Sequence, residues 1–182
     1  AVDVAIVGGG LAGITAAKLL KQAGKTVAVL EADRVGSGVS GHTTAKISAL
    51  HQLIYADLIE QMGKEKAGLY AESNLAAVEK LASLIQDDNI DCDFSRQDVY
   101  TFARTSDNSD KITEEIKATH AIGMSTEYVD TVTLPFQIAG AIKLSNQAQF
   151  HPRKYMLHVA GTLVGQGSYV FEQTRVTTVE GE

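Results

Sequence analysis

A single cysteine, Cys92, stands in the 182-residue chain, so an internal disulfide is excluded and a reducing, cytoplasmic setting is expected. No apolar run approaches the length needed to cross a bilayer, which leaves no candidate membrane partner. Basic residues are scarce: 16 Lys and Arg stand against 22 Asp and Glu, a formal net charge of −6. That deficit argues against nucleic acid, whose phosphates are held through clustered cations. Prolines number only two, and with 45% apolar and 21% charged residues the chain is composed to fold, away from disordered or collagenous extremes. Internal repeats and low-complexity tracts are absent. The histidines His51, His120, His151 and His158 show no ligand spacing with a nearby acid, so no metal site is expected. The chain opens at Ala1 directly into a strand pattern, with no charged leader or small-residue cleavage site. It has no initiating methionine and stops where residues 179–182 read as strand and turn, so a piece of a longer protein is expected.

What is present begins with a short apolar run over residues 2–7, bounded by three glycines, which reads as a buried parallel strand. Residues 11–23 place Leu11, Ile14, Ala17 and Leu20 at helical spacing, with Gly24 as a natural stop. Residues 26–30 form a second β-branched run ending at Glu31, so strand, glycine turn, helix and strand follow in series as a βαβ unit. Residues 33–44 are rich in glycine, serine and threonine and read as loop. Helices are predicted over 45–62, 65–86, 110–122 and 152–165, and strands over 92–94, 99–103, 127–129, 138–144, 169–172 and 175–180.

The turn reads Gly8-Gly9-Gly10-Leu11-Ala12-Gly13, a G-x-G-x-x-G between strand and helix. In this setting Gly8 allows the sharp turn, Gly10 lets a pyrophosphate approach the backbone, and Gly13 lets the helix pack closely on the strand. Amides at the helix start and the positive end of its dipole favour phosphate charge. Glu31, about 20 residues on, places a carboxylate where ribose hydroxyls are bound and a 2′-phosphate is repelled. NADP is therefore disfavoured, and FAD or NAD remain.

Three segments resemble the FAD-dependent oxidoreductases of the D-amino-acid oxidase, glycine oxidase and sarcosine oxidase superfamily. The first is residues 3–13 with 27–31, shared by many FAD and some NAD proteins. The second is the small-residue loop Gly36-Ser37-Gly38-Val39-Ser40-Gly41-His42-Thr43-Thr44-Ala45-Lys46, which plain NAD dehydrogenases lack. The third is Phe150-His151-Pro152-Arg153, the helix after it, and residues 169–172 and 175–179, the family's return crossing to the nucleotide-binding sheet. The wording of residues 40–48 is similar to a bacterial subgroup in which the flavin domain precedes a Rieske iron-sulfur domain; with one cysteine, this chain cannot hold such a cluster itself.

The resemblance implies an α/β, Rossmann-like FAD/NAD(P)-binding fold with a parallel sheet, a glycine turn and an inserted α+β segment, and about the first half of a flavin domain. Residues 1–50 and 150–182 would form a discontinuous FAD-binding domain, and residues 51–149 an inserted segment in the substrate region. FAD would meet Gly8, Gly10, Leu11, Ala12, Gly13, Glu31 and Ala32, with Arg34, Gly38, Ser40, Gly41, His42, Thr43 and Thr44 along the pyrophosphate loop. Lys46 would stabilise the reduced flavin, and the Val176 backbone would meet adenine; by residue type Arg34 and Lys46 also suit a solvated surface, and Val176 a core. Some relatives bond a histidine covalently to flavin, but the flanking aromatic is missing here, so local hydrogen bonding is expected of His42. The implied activity is oxidation of a small amine or amino-acid-like substrate, with an iron-sulfur domain as partner in the parent chain and no catalytic residue assigned. Alternatives are a flavin-binding or interaction module without turnover, or an NAD-binding oxidoreductase.

Overall fold

A computed structural model describes residues 1–180; Gly181 and Glu182, read from sequence as part of the terminal turn, lie outside the described residues. The elements run β1 (Val4–Val7), α1 (Leu11–Gln22), β2 (Val27–Leu30), β3 (Lys46–Ile47), α2 (Tyr55–Asp87), β4 (Ser95–Ala103), α3 (Ser109–Ala121), β5 (Thr126–Val129), β6 (Gly140–Gln149), α4 (Pro152–Leu163) and β7 (Tyr169–Phe171). They divide into two compact units. The first comprises Ala1–Ala45, Ile85–Asp93 and the described residues from Phe150 on; the second comprises Lys46–Leu84 and Phe94–Gln149.

In the first unit a parallel sheet has the order β1-β2-β7. Val27, Ala28 and Val29 of the middle strand are all buried, which is why β2 reads as an unbroken apolar run. From α1 come the buried Ile14 and Ala17, and from α4 the buried Tyr155, Met156, Val159 and Leu163. The two helices pack together, with Thr15 Oγ1 and the Tyr155 hydroxyl 3.1 Å apart. Lys21 Nζ donates to the carbonyls of Thr162 (3.0 Å) and Leu163 (2.8 Å), so a cation satisfies acceptors that the end of α4 leaves unpaired. The segment 85–93 is tied in by the ion pair of buried Lys18 with Asp88 and by His151 N donating to Cys92 O at 2.6 Å.

The second unit is an antiparallel sheet centred on β6, with β4 along one edge and β3 and β5 sharing the other. Its core gathers Leu50, Tyr55, Ala71, Ile112, Met124, Ile142 and Leu144. Glu115 on α3 is 1% exposed. Its carboxylate accepts the N–H groups of Tyr55 (2.8 Å) and Ala56 (2.9 Å), capping the first turn of α2. Gly63 interrupts that helix with a non-helical backbone (φ 82°, ψ 161°). Among the described residues, no helix is long and apolar enough to cross a membrane.

Several local expectations are corrected. The helix predicted over 45–62 starts only at Tyr55. Before it, Lys46 and Ile47 pair with Gln149 and Ala148 of β6, the Gln147 side chain accepts from Ala49 N (2.8 Å), and Ser48 Oγ from Leu50 N (2.9 Å). Sheet pairing thus takes backbone groups that a helix would have used. Residues 92–94 are irregular, and Asp93 has φ 53°, which no strand accommodates. The strand expected over 138–144 runs instead over Gly140–Gln149, because β4 pairs along both halves of it, on either side of a register shift between Gln97 and Val99. Residues 175–180, expected as strand, are irregular: β-prone residues without a ladder among the described residues do not make one.

Candidate functional site

The site grows from the end of β1. Gly8 turns the chain at φ 102°, a conformation open to glycine at little cost. A Cβ on Gly13 would lie 2.0 Å from the Gly8 carbonyl oxygen, so the first turn of α1 can sit against the turn only without a side chain there. Gly10 is extended and caps α1 without a side-chain bond, and a Cβ on it would approach Ser40 Oγ to 3.1 Å. A bare backbone therefore faces the loop that follows β2.

Glu31 organises the other side. Its Oε2 accepts from Gly9 N at 2.6 Å and its Oε1 from Asp33 N at 2.9 Å, which holds both oxygens at the end of β2. The Asp33 amide first, then the Gly9 amide, lowers the carboxyl below its ordinary range against an opposing effect of burial, so it stays ionised at neutral pH. Ser40 Oγ accepts from Leu11 N at 3.2 Å, bringing the loop to the start of α1. Gly41 permits this fold-back: a Cβ there would lie 1.8 Å from the Gly36 oxygen.

These residues enclose a recess of about 340 Å³ whose walls include Gly9, Gly10, Glu31, Arg34, Gly38 and Ser40. Of the sequence candidates, Gly8, Leu11 and Gly13 shape the turn beneath it. Ala12, Ala32, Thr43 and Thr44 are exposed in the same unit outside the lining, and Val176 is half-buried in the irregular segment after β7. The His42 ring is exposed and its Nδ1 lies 2.9 Å from Gly38 O, a local hydrogen bond. Lys46 belongs to β3 in the second unit. Asp33 and Ser37 also line the recess and were not singled out from the sequence. Asp33 lies two residues beyond Glu31, where a second acid carries no motif of its own; Ser37 stood inside the small-residue loop.

The chemistry of the lining suits the ADP half of FAD. An unobstructed glycine turn with helix-start amides could receive a pyrophosphate, an ionised carboxylate could accept ribose hydroxyls, and Arg34 could add a cation. A larger groove of about 770 Å³ lies in the second unit, lined by Leu69, Leu75 and Met124 among others. Its lining has no glycine-rich turn between a strand and a helix. Among the described residues, no group of three or more His, Cys, Asp or Glu is placed to hold a metal ion.

Comparison with known proteins shows the family. The profile of the FAD dependent oxidoreductases (DAO) matches residues 3–182. The chain is 34% identical over 172 residues to YhfW of Bacillus subtilis (strain 168), which carries the name of a Rieske 2Fe-2S iron-sulfur protein; the match covers 94% of this chain and 34% of that protein. It is 25% identical over 185 residues to gamma-glutamylputrescine oxidoreductase of Escherichia coli (strain K12), covering 98% of this chain and 43% of the relative. In fold it is similar to glycine oxidase from Bacillus cereus ATCC 14579, with a TM-score of 0.74 at 20% identity over 100% of this chain and 49% of that one. The chain thus spans about a third to a half of the length of these proteins. A profile match along essentially its whole length places this chain in the FAD dependent oxidoreductase family, whose cofactor is FAD.

Proposed function

We propose that this chain is the FAD-binding part of a flavin-dependent oxidoreductase acting on a small amine or amino-acid-like substrate. The observation that carries the reading is the ionised Glu31 carboxylate, held by the Gly9 and Asp33 amides at the rim of a recess floored by glycine backbone. In this reading Glu31 receives the adenosine ribose, the turn formed by Gly8, Gly10, Leu11, Ala12 and Gly13 brings the start of α1 to the pyrophosphate, with the Leu11 amide held by Ser40, and Arg34, Gly38, Ser40, Gly41, His42, Thr43 and Thr44 border it. Ala32 and Val176 lie along the adenine side, and Lys46 lends its positive charge to the reduced flavin. FAD supplies the hydride-accepting chemistry; these side chains bind and orient it. The first unit corresponds to the cofactor-binding domain and the second to part of the substrate region. Two similarities support the substrate class: the E. coli relative is named as an oxidoreductase of gamma-glutamylputrescine and the B. cereus neighbour as a glycine oxidase. The name of the B. subtilis relative supports an iron-sulfur domain as electron partner in the whole protein.

The test is the visible flavin spectrum of the full-length protein after FAD addition and desalting, beside Glu31→Ala and Gly10→Val. The wild type retains flavin and both variants lose most of it, because one lacks the ribose acceptor and the other puts a branched side chain against Ser40. Flavin retained equally by all three removes the recess as the site. Flavin reduction by a panel of amines and amino acids under anaerobic conditions then tests the substrate class.

A further inference from the structure

The stretch from Asp33 to Gly38 supplies much of the recess wall, and it is irregular backbone. It is held by the segment that leaves β7. Glu31 N donates to Phe171 O at 2.8 Å, Thr174 N to Glu31 O at 2.8 Å, and Gln173 N to Asp33 O at 2.7 Å. The same segment adds a side-chain bond at the next step along the loop: Glu172 Oε1 accepts from Val35 N at 2.8 Å. Val35 is 3% exposed, and its neighbours Arg34 and Gly36 both line the recess. The bond is part-buried, and an N–H on a buried residue that loses its acceptor bears a cost of desolvation, so the loop would re-form around it.

We propose that Glu172 is a positioning residue for FAD. It acts through the Val35 amide to hold the Arg34–Gly36 backbone in the shape that accepts the nucleotide, without touching the cofactor. This inference rests on the reading of the recess as the FAD site. The acceptor is what matters: a carboxamide oxygen can take the same N–H, whereas a methyl group cannot.

The experiment titrates FAD into the apo form of the full-length protein, following flavin fluorescence, for the wild type, Glu31→Ala, Glu172→Ala and Glu172→Gln. Apo thermal midpoints are recorded in parallel. Glu172→Ala raises the FAD dissociation constant about tenfold, the scale of one charge-assisted hydrogen bond to a buried amide, and Glu172→Gln restores it to within about threefold. A Glu172→Ala protein that binds FAD like the wild type overturns the proposal, even with a lowered thermal midpoint, since Glu172 would then be a structural staple alone. Glu172→Gln as weak as Glu172→Ala also overturns it. If Glu172→Ala does not fold, Glu172→Asp, one methylene too short for Val35, replaces it with the same expected direction. A wild type that holds no flavin overturns both this and the proposed function; weak binding by Glu31→Ala with unaltered binding by Glu172→Ala overturns this inference alone.

Discussion

Glu31 shows how one side chain can serve the fold at the place proposed for the cofactor. Its carboxylate spans the Gly9 and Asp33 amides, and these bonds lower its pKa from the ordinary value of 4.5. A carboxyl lowered in the folded state contributes stability that is fully present above its unfolded value and is lost as pH falls through the folded value. Glu31→Gln is therefore expected to lower stability by about 1 kcal/mol at neutral pH, the scale of a solvent-screened charge-assisted hydrogen bond. The gap to the wild type should narrow below pH 4.5 and close at stronger acid, as followed by urea midpoints over a pH series. A gap unchanged from pH 7 to pH 3, on the order of the model range for carboxylates, would show that the ionised form is not what the amides hold. At Gly13 the constraint is steric, because the Gly8 oxygen occupies the space of a Cβ. Both residues were legible in the sequence, since each belongs to a motif whose spacing follows from backbone geometry.

Among the elements, α2 best shows tertiary structure choosing a boundary. The periodicity of Leu69, Leu75, Val78 and Leu81 marks the helix after Gly63 well, and the break at Gly63 separates it from a shorter first part. The start at Tyr55 has no cap in the adjacent sequence; the cap is Glu115, sixty residues away on α3. Glu115→Ala strips two N–H groups of their acceptor at once and should cost about 3 kcal/mol, combining a lost helix cap with unpaired buried amides. Thermal or urea unfolding of the variant measures it, and Glu115→Gln should recover part of the loss. An alanine variant as stable as the wild type would mean that water reaches the first turn of α2. Irregular residues 92–94 and 175–180 follow the same logic in reverse, since β-prone side chains alone do not supply a pairing partner.

For the whole molecule, the division into two units predicts where bound FAD is felt. With free FAD at about 100 times its dissociation constant, the first unit, proposed to bind it, gains about 2.7 kcal/mol. Amide exchange in the full-length protein should slow at residues 8–13 and 31–41 on adding FAD, with little change in 66–83 of α2. Equal protection in both regions would assign the cofactor to a different surface. The βαβ unit, the glycine turn, Glu31 and the resemblance of the 36–46 loop were determined by the sequence alone, because each rests on neighbours in the chain whose spacing sets their geometry. The family assignment followed from the same segments. Only the tertiary structure decided that Ile85–Asp93 folds with the first unit, through Lys18 and Asp88, and that β3 replaces the start of a helix. It likewise decided that Asp33 and Ser37 line the recess and that Glu172 holds Val35. The physical reason is that such partners stand 70, 103 or 137 residues apart, and local periodicity carries no record of which distant groups will satisfy a buried amide or charge.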